Sequence, residues 1–111
     1  MQEMNNVDIE RMRQSAGDAA QMLRSLAHQD RLLLLCQLSQ GELCVSDLEA
    51  QLGIQQPSLS QQLGVLRREG LLVTRREGKH IYYRIGDVRV LDVLQTLYAL
   101  FCKSQEAASG E

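Results

Sequence analysis

The sequence predicts a mainly α fold carrying one β-hairpin, with five helices and a two-stranded wing. Three observations point to it. Residues 46–68 read as two short helices separated by Gly53-Ile54. Residues 71–85 read as two strands about a tight turn, rich in β-branched and aromatic side chains. Apolar residues at helical spacing lie on both sides of this block. Two short helices followed by a hairpin make a winged helix-turn-helix, in which one helix braces and the next lies in the DNA major groove.

Each element has its own signal. Over residues 8–27, Ile9, Met12, Ala16, Ala19, Ala20, Leu23 and Leu26 recur at steps of three and four, which marks an amphipathic helix. Residues 29–39 hold four consecutive leucines, Leu32 to Leu35, then Cys36 and Leu38. Leucines around most of a helix circumference predict a central, mostly buried helix, ended by Gly41. Ser46 starts the third helix and pairs with Glu49 in an S-x-x-E capping box. Pro57 falls in the first turn of the fourth helix, where a missing N–H does no harm. Leu59, Leu63 and Leu66 then face the core, and Ser58, Ser60, Gln61, Gln62 and Arg67 face outward in part. Gly70 is the expected C-cap.

The hairpin strands run Leu71 to Arg76 and His80 to Ile85 around Glu77-Gly78-Lys79. Ile81, Tyr83 and Ile85 share one face; Tyr82 and Arg84 share the other. The last helix spans about Asp87 to Lys103. Its apolar residues fall in two stripes, Leu91/Leu94/Tyr98/Phe101 and Val90/Val93/Leu97/Leu100. One core absorbs one stripe. The second predicts a symmetric homodimer, packed through the first and last helices.

A chain of 111 residues makes one domain, placed at residues 8–103 between disordered tails at 1–7 and 104–111. It has no run of 18 apolar residues to span a membrane, and no basic, apolar start of a secretion signal. The expected location is the cytoplasm, where cysteines rest reduced. Three cysteines cannot all pair within one chain, which argues against a disulfide framework. Nothing in the sequence implies a cofactor. Paired acid/base residues, a Ser-His-Asp set and a Gly-rich phosphate loop are all missing, which argues against an enzyme.

Net charge is −2, but it is unevenly spread. Residues 1–53 carry −4, residues 54–84 carry +4, and residues 85–111 carry −2. The positive charge sits on the helix-turn-helix and hairpin. Phosphates feel a local patch, because salt screens charges beyond about 8–10 Å. Ser58, Ser60 and Gln61 can hydrogen-bond base edges and phosphates, glutamine suiting adenine. The helix start around Gln55, Gln56 and Ser58 offers N–H groups to phosphate. Gln62 and Arg67 extend that face. Arg75, Arg76, Lys79 and His80 on the wing can reach the flanking backbone or minor groove. Double-stranded operator DNA is the expected partner. A winged helix serving only as a protein-interaction module is the alternative.

Three segments resemble the ArsR/SmtB family of dimeric winged-helix repressors, together covering about residues 16–103. Leu26-Ala-His-Gln-Asp-Arg-Leu-Leu-Leu-Leu-Cys36 is similar to that family's L-x-H-P-x-R-L-x-I-L, with Gln29 in place of proline. Gly41-Glu-Leu-Cys-Val-Ser-Asp-Leu48 is similar to its E-L-C-V-C-D-L. Gln56-Pro-Ser-Leu-Ser-Gln-Gln-Leu63 with Leu66-Arg67 resembles its recognition helix, with Gln62 where histidine is common.

The resemblance also frames what the chain senses. Family members mostly sense metals through clustered Cys, His and carboxylates. Here the C-V-C metal motif reads Cys44-Val45-Ser46, and residues 87–103 contain no histidine. Both familiar metal sites are therefore broken. Cys36 and Cys102 instead resemble the dithiol of the persulfide-sensing, BigR/SqrR-like branch. That resemblance implies a small-molecule persulfide inducer, a sulfur bridge between the two cysteines, and release of DNA. Peroxide or disulfide stress acting through a direct disulfide, or a thiophilic metal, remain alternative signals. Cys44 reads as a core or bystander thiol.

Overall fold

The structure, a computed structural model, describes residues 6–102. Its elements are α1 (Asn6–Leu26), α2 (Gln29–Leu38), β1 (Leu43–Cys44), α3 (Val45–Leu52), α4 (Ser58–Arg68), β2 (Leu72–Glu77), β3 (His80–Ile85), α5 (Val88–Leu97) and a π-helical turn (Tyr98–Cys102). The first helix begins two residues before the expected start at residue 8. The proposed tail at 104–111 and the helix end at Lys103 lie outside the described residues. Among these residues no helix is long and apolar enough to cross a membrane.

The core forms where α2, α3 and α4 meet. Leu34, Leu35, Leu48, Leu59, Leu63 and Leu66 are all fully buried, and Leu71, Leu72, Val90 and Leu94 close over them. On α4 the leucines step by four and then three, so one stripe of a 3.6-residue helix carries them inward. The run on α2 is mostly buried, though not on every side. Leu34, Leu35 and Leu38 are buried, while Leu33 and Cys36 are exposed. The helix packs against α1, α3, α4 and β3.

The sheet has a third strand that the sequence reading lacked. Leu43 pairs with Tyr83 and Cys44 with Tyr82, giving the order β1-β3-β2. This pairing moves the start of α3. The chain leaves the sheet at Cys44, so Cys44 is the N-cap and its N–H donates to Asp47 Oδ2 at 3.4 Å. The expected Ser46–Glu49 box is displaced by this Cys44–Asp47 pair. The hairpin register sets Glu77 opposite His80, leaving Gly78-Lys79 as a two-residue turn. Gly78 holds φ +63 there, where a side chain would strain the backbone. Tyr83 and Ile85 pack on the core; Ile81, on the same face, lies further out and is exposed.

Gly86 joins the hairpin to α5 in tight quarters. A Cβ there would lie 2.8 Å from Val73 Cγ1 and 3.4 Å from the carbonyl oxygen of Gly70. Gly86→Ala is expected to lower stability by about 1–3 kcal/mol through overpacking, read as a lower urea midpoint at unchanged slope.

Asp87 caps α5. Its Oδ1 accepts from the Arg89 N–H at 3.0 Å, and its Oδ2 accepts from the Arg89 guanidinium at 2.7 Å. The guanidinium holds this carboxyl below its ordinary range. The expected single last helix changes at Tyr98 into a π turn. Val90 and Leu94 are buried, with Val93 and Leu97 half-buried beside them. Leu91, Tyr98, Leu100 and Phe101 are exposed. The two expected stripes are thus redrawn, with Leu94 on the inner face and Leu100 on the outer. Helix α1 sends Met22 and Leu26 to the core, while Ile9, Met12 and Leu23 are exposed.

Candidate nucleic-acid interface and cysteine pair

Helix α4 presents one polar face. Gln55, Gln56, Ser60, Gln61 and Arg67 are exposed on it or just before it, and Ser58 is half-buried. Gln56 Oε1 accepts from the Ser60 N–H at 3.1 Å, bonding an N–H that the first turn of the helix leaves without an intrahelical partner. Gln62 does not belong to this face. It is buried, and its Oε1 accepts from Arg31 Nε at 2.9 Å. The sequence reading set Gln62 outward; the leucine stripe turns it toward α2 instead. Ser58 Oγ donates to Asp30 Oδ2 at 3.3 Å, also on α2.

The wing places Arg76, Lys79 and His80 in solvent. Arg75 is engaged within the protein. Its guanidinium donates to Glu42 at 2.6–2.9 Å and to Glu77 at 2.8 Å, and lies 4.7 Å from the Tyr82 ring centroid. The hydrogen bonds from Arg75 hold the Glu42 carboxyl below its ordinary pKa. Glu42 lies just before β1, so this fork fastens the wing to the sheet edge. Glu42, Asp30 and Arg31 escaped the sequence reading because each meets a partner some thirty residues away.

Cys36 and Cys102 are both exposed free thiols. Cys36 lies on α2 and Cys102 ends the π turn after α5. Burial pushes the Cys36 thiol up, and charge on nearby Cys102 pushes it further the same way. Cys36, Ser39 and Gln40 form one wall of a groove of about 420 Å³, with Leu94, Gln95 and Tyr98 opposite. Ser39 Oγ donates to the Cys36 carbonyl oxygen at 2.6 Å and tightens the end of α2. Cys44 is buried, with its Sγ 3.2 Å from Asp47 Oδ2 and from Ser46 Oγ. Among the described residues no three His, Cys, Asp or Glu side chains gather to hold a metal ion.

Residues 28–74 match the family described as "Bacterial regulatory protein, arsR family". A biofilm growth-associated repressor of Agrobacterium fabrum is 45% identical over 104 residues, covering 94% of this chain and 89% of that relative. The transcriptional activator HlyU of Vibrio cholerae is 32% identical over 100 residues, covering 90% of this chain and 93% of HlyU. The crystal structure of the transcriptional repressor BigR from Xylella fastidiosa superposes with a TM-score of 0.79 at 44% identity. That match covers 89% of this chain and 98% of the other.

Proposed function

The chain belongs to the ArsR family of bacterial regulatory proteins, and from that premise we propose that it is a homodimeric transcriptional repressor released from its operator by reactive sulfur. Helix α4 reads the major groove through Ser60 and Gln61, while Arg67, Arg76, Lys79 and His80 meet phosphates. The repressors named above share 44–45% of residues with it and the activator 32%, which favours the repressing sense.

One observation carries the inducer reading. Cys36 and Cys102 are distant in sequence, yet each is an exposed free thiol, and the groove that Cys36 lines is closed by Leu94, Gln95 and Tyr98 of the segment that runs on to Cys102. In the proposed reaction a cysteine thiolate attacks the outer sulfur of a persulfide, R–S–SH, and R–SH leaves. The second cysteine is charged in the same way. One cysteine persulfide then attacks the inner sulfur of the other, giving a trisulfide bridge and expelling hydrogen sulfide. The bridge biases how the end of α5 sits against α2, and so the spacing of the two recognition helices, about 34–36 Å in a dimer on DNA.

The test is to treat the reduced protein separately with a persulfide donor, peroxide and oxidised glutathione. Sulfur mass at each thiol is read alongside operator affinity. The persulfide donor is expected to leave added sulfur between Cys36 and Cys102 and to weaken binding about 5–150-fold. The same loss from peroxide, with two hydrogens gone and no sulfur gained, would replace this reading with a direct disulfide switch.

The wing contacts have their own measurement. Replacing Arg76 and Lys79 together by alanine removes four phosphate contacts from the dimer, and is expected to weaken binding to every DNA sequence and to flatten the log–log salt slope by about 3–4. An unchanged slope would remove both residues from the contact set.

A further inference from the structure

We infer that Arg31 and Asp30 are positioning residues that fix the rotation of the recognition helix about its own axis. Gln62 and Ser58 are the groups by which they hold it. The inference rests on DNA reading by α4 and is independent of any sulfur chemistry.

The buried leucines of α4 set which face turns inward, and directional bonds sharpen that rotation. The attraction of the leucines to the core is non-directional. The consequence of a small error is large. Side-chain tips lie about 5–6 Å from a helix axis, so a roll of about 20° moves them about 2 Å. That displacement breaks a hydrogen bond to a base edge, whose heavy-atom distance tolerates only a few tenths of an ångström.

Two directional bonds stand where such a roll would be resisted. Ser58 and Gln62 are four residues apart, one above the other on the α4 face that meets α2. Ser58 Oγ donates to Asp30 Oδ2 at 3.3 Å, and Arg31 Nε donates to Gln62 Oε1 at 2.9 Å. Arg31 is itself held, because its guanidinium also donates to the Ser25 carbonyl oxygen at the end of α1, at 3.2 Å. Gln62 is 8% exposed, so its amide is shut away from bulk water and the bond to a charged donor counts fully. Asp30 and Arg31 occupy the first turn of the ten-residue helix that also carries Cys36. About 8–9 Å of one helix therefore separates the thiol from the grip on α4.

The test uses the full-length reduced protein and fluorescence anisotropy on operator and random duplexes over a salt series. Its variants are Arg31→Gln, Gln62→Met, their double and Gln62→Glu. Stoichiometric titration gives the active fraction of each. Arg31→Gln and Gln62→Met are each expected to weaken operator binding about tenfold, the scale of one charge-assisted hydrogen bond. Random-duplex affinity stays within about twofold and the salt slope is unchanged, since no phosphate contact is lost. The double is no weaker than either single, as residues acting through one bond require. Gln62→Glu, which keeps the acceptor, restores operator binding. Amide exchange over residues 58–63 accelerates in both singles. A salt slope lowered by about two, one contact per protomer, in Arg31→Gln would make Arg31 a phosphate contact and overturn the inference. Losses that multiply in the double, or that fall equally on operator and random DNA, would overturn it as well. Should Gln62→Met fail to fold, Ser58→Ala reads the same rotation from the other bond. Its expected operator loss is about threefold, and unchanged operator affinity counts against the inference.

Discussion

Cys36→Ser and Cys102→Ser are each expected to keep operator affinity within about twofold of the parent and to lose the response to a persulfide donor, against about 5–150-fold release in the parent. The bridge needs two sulfurs. A serine hydroxyl neither carries a sulfane sulfur nor attacks one at neutral pH, so either substitution stops the reaction at a single modified thiol. Both positions are exposed, so the change opens no cavity and leaves the reduced fold intact. Cys44→Ser is the informative contrast. Cys44 is buried at the start of α3, so its replacement is expected to lower stability while leaving the response in place. Gel shifts with and without donor, on matched active fractions, read both effects. A fully inducible Cys36→Ser or Cys102→Ser would end the dithiol mechanism.

The same chemistry has a pH signature. The Cys36 thiol is pushed up by burial and by the Cys102 charge, so its reactive thiolate is scarce at neutral pH. Labelling of Cys36 is therefore expected to accelerate close to tenfold per pH unit through neutrality. It levels off only above the raised pKa. Site-resolved mass spectrometry on the parent reads the combined effect, and the Cys102→Ser variant reads what burial alone contributes.

Leu23→Asp and Leu100→Asp are expected to break the dimer and weaken operator binding about 10²–10⁴-fold, the gain that joining two binding modules confers. Leu23 is 58% exposed on α1 and Leu100 is 61% exposed in the π turn. Ile9, Met12, Tyr98 and Phe101 add exposed apolar surface on the same two segments. A carboxylate at such a position leaves the monomer core untouched, so the far-ultraviolet spectrum and core packing should persist. Burying that carboxylate in an apolar interface costs several kcal/mol, enough to dissociate a micromolar dimer. Sedimentation velocity would show monomers at concentrations where the parent is dimeric. Two variants that both remain dimeric would place the interface elsewhere.

The parts of the fold that could be read in advance rest on short-range repetition. Leu59, Leu63 and Leu66 announce one buried face, and alternation through Tyr83 and Ile85 announces another. Gly53 and Gly78 mark breaks where a positive φ is needed, and both adopt it. What escaped depends on chain segments far apart. A two-residue strand such as Leu43–Cys44 has no pattern of its own and exists because Tyr82 and Tyr83 offer it a ladder. That strand then takes the helix cap from Ser46 and gives it to Cys44. Gln62 looks like a surface residue by type; the leucine stripe turns it toward α2, where Arg31 gives its amide a partner. The π turn at Tyr98–Cys102 has no compositional mark, yet it sets where Cys102 ends up. The candidate site divides the same way. The exposed face of α4 and the exposed wing tip follow from residue type, whereas the engagement of Arg75 follows from Glu42.

That fork between Arg75 and Glu42 bears on how the molecule searches a genome. A cation already satisfied by an internal carboxylate gains little from an arbitrary phosphate, since one ion pair must open before another closes. An exposed pair of this kind is weak, so the fork trims what Arg75 could add to adhesion along random duplex. Lower background stickiness shortens each fruitless stop, and the journey between promoters quickens.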